Sequence, residues 1–220
     1  MLLRIRVRLP DRPGSLAKVA RTLGAAGADV VQMTVLERDN GRALDDFTVT
    51  WPAGAGIDRL CDGLGSIPGV GIVGVWPTAE PQGAFPDAAV IGQLAADPRR
   101  GALILADAVP AILSADWAGL AEPGADESGE DAALVYASAG GVPGGRIPVL
   151  RPLRPRSFTA PDGTQYATGP ISSGTERGLV LLVARTGAPP FHQTEVSRLA
   201  QLVGAAETVL SGSGIRLATG

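Results

Sequence analysis

The sequence predicts an α+β protein in two domains, and three observations carry that expectation. Leu3, Ile5, Val7 and Leu9 alternate with Arg4, Arg6 and Arg8, the period-two pattern of a strand with one buried face. Asn40-Gly41, the strongest short signal for a hairpin turn, lies between two β-branched runs. Pro77 to Pro86, with Pro81 and Gly83 between, lacks apolar periodicity and reads as a linker. The expected domains are therefore 1–77 and 87–211, joined by residues 78–86 and followed by a flexible tail at 212–220.

The first strand delivers the chain to Asp11-Arg12-Pro13-Gly14-Ser15-Leu16. Asp11 is expected as the N-cap of a helix, with Pro13 in the first turn, where a missing N–H costs nothing, and Gly14 allowing close approach to the backbone. Leu16, Val19, Ala20 and Leu23 recur at helical spacing and Gly27 follows as a C-cap, so this helix should cover Pro13 to Ala26. Val30 to Glu37 and Phe47 to Trp51 are the arms of a hairpin over 29–51. Ile57, Leu60, Cys61 and Leu64 mark a second helix, and Val70 to Val75 reads as a last strand. The order β-α-β-β-α-β, with two helices on one face of a four-stranded antiparallel sheet, is ferredoxin-like. Helix-start N–H groups and the positive end of the helix dipole would make the Asp11–Leu16 turn a receptor for a carboxylate. The plain alternative is a capped helix that binds nothing.

Composition narrows the function classes. Hydrophobic residues make up 45 %, ample for two small cores, but aromatics only 4 %, so those cores must be built from Val, Leu, Ile and Ala. Nineteen basic against 22 acidic residues give a net charge of −3 without any basic block, which argues against a nucleic-acid partner. The N-terminus alternates Arg with aliphatics, unlike a signal peptide, and no apolar run reaches the ~18 residues of a membrane span. A cytoplasmic protein with no membrane partner is expected. One cysteine, Cys61, and one histidine, His192, leave no internal disulfide and no Cys/His metal cluster.

Residues 2–76 resemble the ACT domain, a small regulatory module of amino-acid metabolism, in element order and in the Asp-Arg-Pro-Gly-Ser-Leu turn. The resemblance implies a homodimer of side-by-side copies, with an amino acid bound where the first turn of one copy meets the second-strand start of another. By position it singles out Asp11, Arg12, Pro13, Gly14, Ser15 and Leu16 in the turn, and Asp29 at the start of the second strand. In some amino-acid-binding members the positions matching Asp11 and Asp29 are both Asn, which offers donors as well as acceptors. Two carboxylates would instead hold a ligand ammonium and repel its carboxylate, leaving that group to the backbone N–H groups of Gly14, Ser15 and Leu16 or to Arg12.

In the second half, Ala88 to Ala96 and Gly101 to Leu113 look like two helices interrupted at Asp97-Pro98. Trp117 to Ala121 and Ala132 to Ala137 suggest an antiparallel pair, separated by the acidic loop Glu122 to Asp131. Ile147 to Phe158 holds Pro148, Pro152 and Pro155, so any strand there is broken or at an edge. Gln165 to Thr168 is a short strand candidate, Gly178 to Thr186 the clearest strand, and Val196, Leu199, Leu202, Val203 and Val209 mark a long closing helix. Two helices, a β-meander and a closing helix resemble the GAF domain, a small-molecule sensor fold. The Asn-Lys-Phe-Asp-Glu signature of cyclic-nucleotide-binding members is missing, and no cysteine stands in this half to anchor a bilin. The implied domain is therefore a degenerate GAF-like one.

Other signals have ordinary readings. Gly69 to Gly74 matches a GxGxxG string but leads into a strand, whereas a dinucleotide site needs it between strand and helix. Cys61 falls on an apolar helical stripe without a base, and His192 stands at a helix entry suited to capping. Glu122, Asp126, Glu127, Glu130 and Asp131 fit no EF-hand spacing and read as a solvated loop. Ser66 and Ser172-Ser173-Gly174-Thr175 lack a neighbouring base, and no cofactor is expected. The expected function is a non-catalytic sensor that binds an amino acid and passes a change of dimer arrangement to an unknown protein partner. The alternatives are a dimerising scaffold without ligand, or an enzyme whose site in the second domain lies near His192 or Gly140–Gly145.

Overall fold

A computed structural model describes residues 1–79, 85–124, 132–141, 147–172 and 178–212. Residues 80–84 of the expected linker, the acidic-loop residues Asp126, Glu127, Glu130 and Asp131, the glycine-rich residues 142–145, Ser173-Gly174-Thr175 and residues 213–220 of the expected tail lie outside the described residues. The chain divides into two compact units, Met1–Glu80 and Pro81–Gly220.

The first unit runs β1 (Leu2–Pro10), α1 (Ser15–Ala25), β2 (Asp29–Asp39), β3 (Arg42–Thr50), α2 (Ile57–Gly65) and β4 (Gly71–Pro77). Its sheet has the order β2-β3-β1-β4 with every neighbouring pair antiparallel, the ferredoxin-like arrangement. Register decides which residues meet the helices. Leu3 faces Val49, Ile5 faces Phe47 and Leu9 faces Ala43, and these side chains form one core with Val19 and Leu23 of α1 and Leu60 and Leu64 of α2. Asn40 (φ 48°) and Gly41 (φ 71°) both take the left-handed conformation that a two-residue primed hairpin turn requires. Gly27 (φ 86°) closes α1: its N–H and that of Ala28 reach back to the carbonyls of Gly24 and Leu23, both at 3.0 Å.

Two differences from the sequence expectation bear on the site. β3 begins at Arg42, not Phe47, because cross-strand bonding to β1 and β2 carries Asp45 and Asp46 into the sheet despite their poor strand propensity. Helix α1 begins at Ser15, two residues after Pro13. Gly14 holds the cap position at φ 86° without a side-chain cap, so Asp11 is not the N-cap.

The second unit runs α3 (Pro86–Ala96), a 3-10 turn at Pro98–Arg100, α4 (Gly101–Leu113), β5 (Trp117–Glu122), β6 (Ala133–Ala137), β7 (Arg156–Thr159), β8 (Gln165–Ile171), β9 (Leu179–Arg185) and α5 (Gln193–Gly212). The five strands form an antiparallel sheet in the order β6-β5-β9-β8-β7, with β7 at an edge after the proline-bearing stretch. One sheet face packs Leu181 and Val183 against Leu94, Leu105, Val109, Leu113 and Leu199 of the three helices, the helix–meander–helix arrangement expected of a GAF-like domain. Gly169 in β8 lets α5 come close, since a Cβ there would lie 2.9 Å from Val203. The opposite face is filled by Leu150, Leu182 and Tyr166, with Phe158 stacked on the Tyr166 ring at 5.5 Å and Trp117 edge-on at 6.4 Å. Among the described residues, no helix is long and apolar enough to cross a membrane.

A buried ion pair fixes the entry of α5. Arg185, at the end of β9, donates to both carboxylate oxygens of Glu195 (3.0 and 3.2 Å), to the carbonyl of Pro189 (3.0 Å) and to that of Leu113 (3.3 Å). Its guanidinium lies 3.9 Å from the Phe191 ring centre, and Glu195 also accepts the His192 N–H at 2.8 Å. Strand β9 and helices α4 and α5 thus share one donor set. Removing one member of a buried pair strands the other charge, so Glu195→Ala should lower the unfolding free energy by about 3–5 kcal/mol in urea denaturation.

Candidate functional site

The turn after β1 is placed by the sheet itself. Because Pro10 pairs with Arg42, the chain leaves β1 beside the Asn40-Gly41 hairpin turn, and the Asp11 N–H donates to the Gly41 carbonyl at 2.8 Å. The Asp11 carboxylate accepts two hydrogen bonds from Arg38 of β2, at 2.9 and 3.0 Å. That bidentate pair raises the Arg38 pKa further above its ordinary value, chiefly through the hydrogen bond to Asp11. Asp11 is therefore a strut between the turn and the edge strand. Arg12, Pro13 and Gly14 are exposed, Leu16 is 40 % exposed, and Ser15 is buried with its N–H donating to the Arg12 carbonyl at 3.2 Å. Of the three N–H groups expected to receive a carboxylate, that of Ser15 is thus already engaged.

Beneath the turn lies a pocket of about 170 Å³. Leu9, Leu16, Met33, Val35 and Ala43 supply its apolar walls, and Asp11, Arg12, Ser15, Arg38 and Asp45 its polar groups. Asp45 is the residue that sequence reasoning missed. It stands on β3 in the inward register, between Ala43 and Phe47, with Val7 and Val35 as cross-strand neighbours. The residue is only 3 % exposed, and its Oδ1 is buried without a hydrogen-bond partner among the described residues. Burial, first, and then the negative charges of Asp11 and Asp46 push its pKa up, partly offset by Arg38. The adjacent Asp46 points to the other face, where Arg6 donates to both of its oxygens at 2.7 and 2.8 Å. The signal available in the sequence was a pair of acidic residues inside a strand, one of which alternation must turn inward.

Asp29 opens β2, opposite Thr50. Nine steps along the strand separate it from Arg38, about 30 Å at the usual rise, so one copy of the chain does not bring Asp29 and Asp11 together. β2 is an edge strand, and Val30, Val31, Met33 and Val35 along it are 36–46 % exposed. An eleven-residue edge with exposed aliphatics is a template for pairing with another strand.

The remaining candidates have structural places. The Gly69–Gly74 string runs into β4, not a helix. Burial and the neighbouring Asp58 and Asp62 raise the Cys61 pKa, disfavouring its thiolate. The His192 imidazole Nδ1 lies 3.2 Å from the Thr194 hydroxyl at the start of α5. Among the described residues no group of three His, Cys, Asp or Glu could hold a metal ion.

Fold and pocket together define a ferredoxin-like module with a small pocket of mixed apolar and charged lining at its first strand–helix turn. Residues 3–50 match the ACT domain family model, and α2 and β4 complete the unit. No curated protein sequence matches the chain. Among solved structures, the chain is similar to a formyltetrahydrofolate deformylase from Pseudomonas putida KT2440 at 15 % identity and a TM-score of 0.32, over 44 % of this chain and 39 % of that one. The GAF domain of a protein described as a sensor histidine kinase from Pseudomonas syringae pv. tomato is similar over 59 % of this chain and 86 % of that one, with 14 % identity and a TM-score of 0.40. An unknown protein from Galdieria sulphuraria matches over 97 % and 93 % of the two chains, at 14 % identity and a TM-score of 0.31. At these scores none of the three bears on what the pocket holds.

The raised pKa of Asp45 sets the sign of a stability effect. The folded state keeps its proton to higher pH than the unfolded chain does, so Asp45 withdraws stability as pH rises from the ordinary carboxylate value of 3.8 through its folded pKa. Asp45→Asn should therefore melt above the wild type at pH 7, and scanning calorimetry should find that advantage gone below about pH 4. Gly14→Ala meets no steric neighbour but must hold φ at 86°, and should cost about 1–2 kcal/mol in the same assay.

Proposed function

We propose that the first unit is a regulatory module that binds an amino acid in the pocket beneath the Asp11–Leu16 turn. The observation that carries this reading is the pocket, of about 170 Å³, lined by apolar side chains together with Asp11, Arg12, Arg38 and the buried Asp45. Drug-sized ligands fill ~300–1,000 Å³, so a small metabolite suits it and a dinucleotide does not. The match of residues 3–50 to the ACT domain model supports a regulatory role.

Pairing of two copies through β2 completes the site in this reading. Antiparallel alignment of the two edges would carry Asp29 of the partner subunit toward the Arg38–Asp11 end, closing the ~30 Å gap that separates these positions in one copy. The exposed Val31, Met33 and Val35 support that edge as the contact. Ligand bound across the seam would favour one dimer arrangement, and a partner protein sensing the arrangement would read the ligand. In this reading the protein acts without chemistry of its own.

Two measurements check the proposal. A thermal-shift screen against the common amino acids should find a ligand that, at 100 times its dissociation constant, adds about 2.7 kcal/mol, several degrees for a domain of this size. No shift with any amino acid sinks the ligand reading and leaves the dimerising scaffold. Met33→Lys with Val35→Lys should convert the dimer to monomer in sedimentation velocity; a monomeric wild type would contradict the pairing.

A further inference from the structure

Resting on the pocket assignment above, we infer that Asp45 is the specificity determinant of the site: its carboxylate receives the side-chain cation of the ligand, so the ligand is a basic amino acid. Three observations converge. Asp45 lines the pocket, and its Oδ1 is buried without a hydrogen-bond partner among the described residues, so its ionised form carries a desolvation cost that no hydrogen bond at that atom offsets. Arg38, the cation on the neighbouring strand, turns its Nε and Nη2 to Asp11 and makes no hydrogen bond to Asp45 Oδ1. Leu9, Val35, Met33 and Leu16 line the approach with apolar surface, which suits the methylene stem of a lysine or arginine side chain and leaves only its charged end needing a partner. Buried polar groups left unpaired in the free protein discriminate strongly, because a ligand lacking the matching group leaves them unpaired still.

The contrast with Asp46 sharpens the point. Asp46 is buried equally deeply, yet Arg6 grips it through two hydrogen bonds and Arg4 Nε lies 3.4 Å away. The fold can therefore give a buried aspartate hydrogen-bonded counter-ions from its own chain, whereas Oδ1 of Asp45 has no hydrogen-bond partner among the described residues.

Calorimetric titration of the full chain with L-lysine, L-norleucine and 1,5-diaminopentane tests the inference, because norleucine keeps the stem of lysine without its charge and the diamine keeps the charge without the carboxylate. Lysine should bind at least tenfold tighter than norleucine, and Asp45→Asn should shrink that ratio to within about twofold. Norleucine binding as tightly as lysine, or discrimination surviving in Asp45→Asn, overturns the inference while the amino-acid reading stands. A diamine that binds as tightly as lysine and needs Asp45 leaves Asp45 as the cation receptor but overturns the amino-acid ligand, both here and in the reading it rests on. No response to lysine, arginine or the diamine overturns the inference, and uncharged members of the amino-acid screen then decide the reading separately. Lysine affinity should also fall as acid protonates Asp45. The charged groups around that carboxyl are Asp46 on its own strand, Asp11 and Arg12 in the turn and Arg38 on β2. A flat affinity between pH 4 and pH 8 contradicts the role.

Discussion

Strand alternation along β3 is the constraint on which the candidate site depends. Successive residues of a strand must point to opposite faces, so two adjacent aspartates cannot share one environment. In register with Arg6, Asp46 joins the Arg4–Arg6 pair; in register with Val7, Asp45 turns toward the helices and the pocket. Neither position could change face without slipping β3 by one residue, which would turn Phe47 and Val49 away from the core they share with α1 and α2. The hydrophobic core thus holds a lone carboxylate where that carboxylate costs stability.

The turn above it is held by equally local means. The pairing of Pro10 with Arg42 brings Asp11 to the hairpin end, the bond to the Gly41 carbonyl fixes its backbone, and Arg38 fixes its side chain. Left-handed Gly14 then swings the chain into α1, placing Ser15 and Leu16 at the pocket rim. Every one of these contacts belongs to the β1–α1 turn or the β2–β3 hairpin, so the pocket can form in a single copy. Asp29, at the far end of β2, is the one expected site residue that needs a second copy to take part.

Much of this fold was legible in the sequence. The Arg–aliphatic alternation of β1, the Asn40-Gly41 turn and the helical stripes through Leu23 and Leu64 each name their element, because a periodic pattern or a special turn conformation leaves few alternatives. In the second unit the pairing of β5 with β6 and the edge position of β7 also follow from local signals. The site was less legible. Asp11 has the composition of a helix cap, and only the ion pair with Arg38, 27 residues away, reassigns it as a strut. Asp45 hid in the opposite way, since acidic residues count against a strand when read locally. Its meaning appears only when the registers with β1 and β2 show which way it points.

A ligand cation reaching the Asp45 carboxylate would change how that carboxylate titrates. Titration of the Asp45 side-chain 13C resonance by NMR, without and with saturating L-lysine, measures this at the atom concerned. Free protein should titrate above the ordinary carboxylate value, and bound lysine should draw the midpoint downward because it binds the ionised form preferentially. An Asp45 midpoint that stays the same with the pocket filled would contradict the account.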